Sequence, residues 1–234
     1  MNLATRYQKS LAQANDPITR ALLEFLLTRD DADPVAFGEI KATLFHGTPA
    51  DMIDTMLKGI IPQEHGILGG DWLCVSPNDN MLSHFGENGV NGLVADNVVL
   101  NNCLLLGTRH LAFMLDLATG DNNDKNHQLE KWFETRGIES WKLQTEDLAR
   151  AWHYLPPELE AFVWPDCHRR LIPGYGWNGA CNHEAEISLT EAGCRVFAQA
   201  ISQIVRHGKW QDHPKMSNAT EPTGFLREQL KINI

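Results

Sequence analysis

Leu44-Phe45-His46-Gly47-Thr48 is the stretch on which the fold turns. The apolar run Ala42-Thr43-Leu44-Phe45 reads as a strand, and His46-Gly47-Thr48-Pro49 ends it where the backbone must bend. Beyond it, Met52, Ile53, Met56 and Leu57 share one apolar face, so a helix is predicted over 49–58 with Gly59 as its stop. A glycine-rich link, Gly66-Ile67-Leu68-Gly69-Gly70, leads to a second strand, Trp72-Leu73-Cys74-Val75-Ser76. Pro77-Asn78-Asp79 punctuates it, and a short helix carrying Met81, Leu82 and Phe85 follows.

Upstream, Leu11, Ile18, Leu22, Leu23, Leu26 and Leu27 recur at helical spacing, which predicts helix from about residue 2 to 28. Asp16-Pro17 has the form of an N-cap followed by proline at the first helical position. Downstream, residues 98–106 and 110–117 read as two buried strands. Residues 120–159 turn polar and helical, with Trp132, Phe133, Trp141, Trp152 and Tyr154 on apolar faces. Strand character returns at 161–164 and 184–189, and an amphipathic helix is predicted over 191–205. A turn-rich tail near 215–223 and a helix at 225–230 finish the chain. The expected class is α+β: an N-terminal helical segment over 1–38, a core over 39–214 with a helical insertion at about 120–160, and a tail over 215–234.

Composition narrows the function classes. A hydrophobic fraction of 43% and a charged fraction of 21% are those of an ordinary globular protein. The net charge of −10 argues against a sequence-independent glove for nucleic acid. Cysteines at 74, 103, 167, 181 and 194 are odd in number and scattered, several in apolar surroundings, and read as reduced thiols. With no secretory pattern at the N-terminus and no apolar run of spanning length, the expectation is a cytoplasmic protein, or one delivered into a target cell's cytosol, with no membrane partner.

Candidate chemistry sits in two places. His46 alone is a turn histidine. Glu184-Ala185-Glu186 alone is a strand with both carboxylates on one face. Cys167-His168 and Cys181-Asn182-His183 lack the spacing of a zinc site, so no metal is expected. Gly66-x-x-Gly69-Gly70 lacks the lysine of a phosphate loop.

Taken in order, the His-Gly-Thr strand end, the helix closed by Gly59-Ile60, the glycine-preceded strand, the helix with Phe85 and the late Glu-x-Glu strand resemble the ADP-ribosyltransferase superfamily. The resemblance covers about residues 42–86 and 178–190 and implies that family's split β-sheet core with peripheral helices. It implies NAD+ as substrate and a macromolecular acceptor, a protein side chain ahead of nucleic acid. The RNA 2′-phosphotransferases, RNA-directed ADP-ribosyltransferases and a catalytically inactive NAD-binding module are the alternatives.

By that resemblance Glu186 would hold the nicotinamide ribose 2′-hydroxyl and stabilise an oxocarbenium-like cation. Glu184 would orient or deprotonate the acceptor. His46 would bond the adenosine ribose, the Gly47 main chain would hold the carboxamide, and Thr48 would line the site. Phe85 would stack on nicotinamide. The middle strand fits neither a tyrosine nor a serine type: either Trp72 supplies a ring or Ser76 a hydroxyl. His-Gly-Thr paired with Glu-x-Glu is itself a hybrid, so the acceptor residue is not specified.

Overall fold

A computed structural model of the chain describes residues 3–26, 37–60, 72–79, 81–84, 90–105, 133–139, 145–165 and 185–208. Over these residues the chain is α+β, with one mixed six-stranded sheet and helices on its faces. The expected strand at 110–117, the tail from 215 and the helix at 225–230 lie outside the described residues, as do Phe85 and Glu184.

The N-terminal helical stretch is two helices, α1 (Leu3–Gln13) and α2 (Pro17–Leu26). Proline lacks an N–H and disfavours helix in the residue before it, so the chain breaks ahead of Pro17. Asp16 then caps α2 as expected: its Oδ2 accepts the Thr19 N–H at 2.7 Å. Hydrogen bonds from the Thr19 side chain first, and from its N–H, hold the Asp16 carboxyl below its ordinary range.

Strand β1 (Phe37–Gly47) is longer than the predicted run, because its N-terminal half also pairs with a neighbour. The helix after it, α3 (Ile53–Met56), is shorter than predicted. Ile53 alone of its four residues is buried, and the flanking Met52 and Leu57 are exposed. Gly59 closes the turn through N–H to Met56 O at 3.1 Å, without a left-handed φ. Strand β2 (Leu73–Val75) and helix α4 (Met81–His84) follow where the sequence places them.

The first of the two buried strands expected after α4 is part of one 16-residue strand, β3 (Val90–Leu105), which begins earlier than predicted. It pairs with β1 along one edge. Its other edge is shared. Residues Val90–Ala95 pair with β6 (Ile201–Gly208), and Cys103–Leu105 pair in parallel with β4 (Ala161–Pro165). In the gap, the Glu160 carboxylate accepts the main-chain N–H of Asn101 at 2.5 Å and of Asn102 at 3.0 Å, standing in for a strand. Asn97 takes φ 53° at this bend. Next to β4 come β5 (Ala185–Leu189) and then β2. An isolated bridge, Phe45 to Ser76, brings that last strand back against β1.

Helix α6 (Glu191–Gln199) ends six residues before the predicted boundary, and the remainder is β6. Ile201, Ile204 and Val205 are β-branched and fit a pleated edge. Pairing with β3 completes a ladder that a longer helix would forgo. Thr190 caps α6, its Oγ1 accepting the Gly193 N–H at 3.3 Å. A Cβ at Gly193 would stand 2.1 Å from Glu160 O, so glycine lets α6 lie against the start of β4.

The core has two main parts. On one face α1, α2, residues 133–139 and α5 (Thr145–Trp152) bury Tyr7, Leu22, Phe25, Phe133 and Trp152 against Trp72, Leu104 and Phe162. The N-terminal segment and the described part of the 120–160 insertion therefore share one helical layer. Arg136 Nε reaches Glu24 Oε2 at 3.2 Å across it. On the other face Ile53, Cys194 and Phe197 pack over Leu44, Leu73, Val75, Val163 and Ile187.

Phe162 stands between Trp72 and Trp152, with ring centroids 4.9 and 4.8 Å away. Phe162→Ala is expected to cost about 3–5 kcal/mol in equilibrium denaturant unfolding, because the surrounding rings cannot collapse into the space.

Candidate functional site

The Phe45–Ser76 bridge is a pair of main-chain hydrogen bonds: Phe45 N–H to Ser76 O at 2.8 Å, and Ser76 N–H to Phe45 O at 3.0 Å. In an antiparallel ladder the next such pair would join Gly47 to Cys74. The ladder stops instead. The carbonyl that would face Gly47 N–H, Cys74 O, accepts the His46 imidazole Nδ1–H at 2.8 Å. A side chain thus replaces a rung where β1 and β2 part.

This has two consequences. Alternation along β1 sends Thr48 N–H to β3, where it bonds Asn91 O at 3.3 Å. The N–H and C=O of Gly47 consequently point the other way, toward the side on which β2 lies. The second consequence concerns the imidazole. Donation from Nδ1 fixes the neutral tautomer, leaving Nε2 as an acceptor. His46 is 4% exposed, and among the described residues Nε2 has no hydrogen-bond partner. Burial pushes its pKa below the ordinary 6.5, with the bond to Cys74 O opposing weakly.

Glu186 lies on β5, 8% exposed. One step beyond the Val75–Ile187 pair, it stands opposite Ser76 in the ladder. His46 and Glu186 therefore flank β2 from its two sides, about 10 Å apart across two strand spacings. Alternation puts Glu186 on the face of Ser76 and Ser188, and His46 on the face of Leu44 and Val75. The two side chains therefore lie on opposite faces of the sheet.

The other expected site residues fall differently. Ser76 is fully buried, and its hydroxyl serves the main chain, donating to Ala185 O at 3.0 Å and accepting Asn78 N–H at 3.2 Å. It welds β1, β2 and β5 together rather than facing a ligand. Trp72 is packed edge-on against Trp152 and Phe162 in the helical layer, so its ring is core and not a stacking platform. Thr48 is buried beside Gly47.

Sequence reasoning missed Gly92. It pairs with Gly47 and holds φ +151°, and a Cβ there would lie 2.0 Å from His46 O. A glycine inside the apolar run Val90-Asn91-Gly92-Leu93-Val94 is the signal of such a close approach. The buried thiols of Cys103 and Cys194 are pushed up by burial, Cys194 to about 12, which makes them packing groups and not nucleophiles. Among the described residues no cluster of His, Cys, Asp and Glu is placed to hold a metal ion.

No family model matches the chain, and no curated protein or solved structure matches it.

Two outcomes follow from this geometry. Gly92→Ala must displace the His46 main chain, and is expected to lose about 2 kcal/mol or more on unfolding; thermal melts check this. The depressed pKa of His46 makes its neutral form part of the fold. The stability it contributes is complete above pH 6.5 and is lost as pH falls through the lower folded value. Unfolding free energy measured from pH 7.5 downward should fall below 6.5, and His46→Gln should flatten that fall.

Proposed function

We propose that the chain binds NAD+ where β1 and β2 part and is a mono-ADP-ribosyltransferase, acting on a macromolecular acceptor. The observation that supports this most is the Gly47 peptide, which among the described residues is not paired with β2. A carboxamide is one donor and one acceptor side by side, and Gly47 offers the complementary acceptor and donor toward the side on which β2 lies. The His46 Nε2 lone pair beside it suits a ribose hydroxyl.

In this reading the glycosidic bond of NAD+ breaks as nicotinamide leaves with its electron pair. Positive charge then develops on the ribose, and the Glu186 carboxylate, in poorly hydrated surroundings, stabilises it. The acceptor attacks the anomeric carbon and gives up its proton, a general-base task assigned by the sequence resemblance to Glu184. Phe85 is the ring proposed to stack on nicotinamide, since Trp72 is consumed in packing. The fold proposed is the split sheet of the ADP-ribosyltransferases. The two edges of β3 and the parting of β1 from β2 are compatible with it.

A second reading, a module that binds the nucleotide without turning it over, draws on the same middle strand, where neither Trp72 nor Ser76 is left for a ligand.

Incubation with NAD+ should release nicotinamide. Glu186→Gln, which keeps shape and removes charge, should lower that rate by about 10²–10³ with an unchanged circular-dichroism spectrum. Equal turnover by the variant would sink the enzyme assignment. Calorimetric binding of NAD+ with no nicotinamide released by the natural sequence would favour the module.

A further inference from the structure

We infer that Arg206, on the last described strand, is a positioning residue for the segment that leaves His46 and Gly47, and that it tunes ligand affinity where β1 and β2 part. This rests on the NAD+ reading for its ligand but not for its geometry.

The segment after Gly47 is held from β6 directly at two points and, through Asn91 of β3, indirectly at a third. Arg206 Nη1 donates to Ala50 O at 3.1 Å, and its Nη2 meets Asp54 Oδ1 at 2.5 Å. The next residue, His207, donates its N–H to the Asn91 side-chain Oδ1 at 2.6 Å. Asn91 in turn takes the Thr48 N–H on its own carbonyl. The backbone kinks within β6 at this point: His207 adopts φ 50°, which a non-glycine residue rarely holds. The β3–β6 ladder shifts register at the same place, between Val90 and Gly92. A planar guanidinium satisfies a carbonyl and a carboxylate at once, which a lysine ammonium does less rigidly.

As an exposed ion pair Arg206–Asp54 does little for global stability. Its effect is local, on where Thr48 and the Gly47 peptide stand relative to Cys74. Loss of the clamp should loosen residues 48–54 and weaken binding of a ligand that depends on the Gly47 peptide. Steps after binding should be spared, because Arg206 touches neither His46 nor Glu186.

The test compares Arg206→Ala and Arg206→Lys with the natural sequence, using Arg195→Ala as control, since Arg195–Glu191 is an exposed pair within α6. Native-state hydrogen exchange should quicken at Thr48 to Asp54 in Arg206→Ala, partly recover in Arg206→Lys and stay unchanged in Arg195→Ala. The NAD+ dissociation constant, and KM where turnover is seen, should rise about tenfold in Arg206→Ala with kcat within about twofold. Unchanged exchange over 48–54 overturns the inference. So does faster exchange with unchanged NAD+ affinity, or a fall in kcat at constant KM. If the natural sequence neither binds nor cleaves NAD+, the failure belongs to the functional reading, and exchange over 48–54 alone decides the positioning role.

Discussion

Two main-chain hydrogen bonds between Phe45 and Ser76 hold the molecule in the form described, because they return the last strand of the sheet path to the first. Strand β2 is three residues long, too short to fix its place by pairing with β5 alone. The bridge supplies the second edge, and the Ser76 hydroxyl bonded to Ala185 O supplies a third tie. With β2 so held, Leu73 and Val75 face Leu44, Ile187 and Leu189 across one core while Trp72 faces the helical layer. The bridge also sets where the strands separate. Beyond it the ladder would have to continue through Gly47, and the imidazole of His46 occupies that rung instead.

A rung made by a side chain has an energetic signature. The Cys74 carbonyl is satisfied, so its burial costs little. The imidazole is satisfied on one nitrogen and buried on the other, and burial without a partner is costly for a polar atom. The protein lowers that cost by keeping the ring neutral, as the downward shift of its pKa requires. Gly92 brings the β3 backbone close enough to hold the ring's main chain in place, at the expense of a backbone conformation open mainly to glycine. An apolar residue at 46 would avoid this desolvation but would leave the Cys74 carbonyl without its imidazole donor.

How much of this was legible depended on whether the signal was local. The Asp16 cap, the second strand, β4, β5 and the start of α6 are written in periodicity and capping residues, and the structure places them there. The run after Gln199 misled because Ile201 and Ile204 continue a helical stripe, and only the waiting edge of β3 makes them a strand. The short α3 misled in the opposite sense: a clean apolar face at Met52, Ile53, Met56 and Leu57 has only Ile53 buried. In the candidate site, His46 and Glu186 are picked out by residue type and order alone. Their geometry is not, because it depends on where a ladder stops, which no single strand records. Arg206, Asn91 and Gly92 escaped because their roles are to hold main chain from other strands.

The middle strand resolves a question that side-chain identity left open. Trp72 and Ser76 were the two candidates for the group that this strand offers a ligand, and packing claims the first while main-chain bonding claims the second. What β2 does contribute where β1 parts from it is a carbonyl, that of Cys74, which aims the His46 ring. A carbonyl has no residue type. A middle strand working through its backbone is thus free to carry tryptophan, cysteine and serine in place of the tyrosine that a side-chain mechanism would demand. On the proposed NAD+ reading, the mismatch at 72–76 leaves recognition to the Gly47 peptide, the neutral imidazole of His46 and the carboxylate of Glu186.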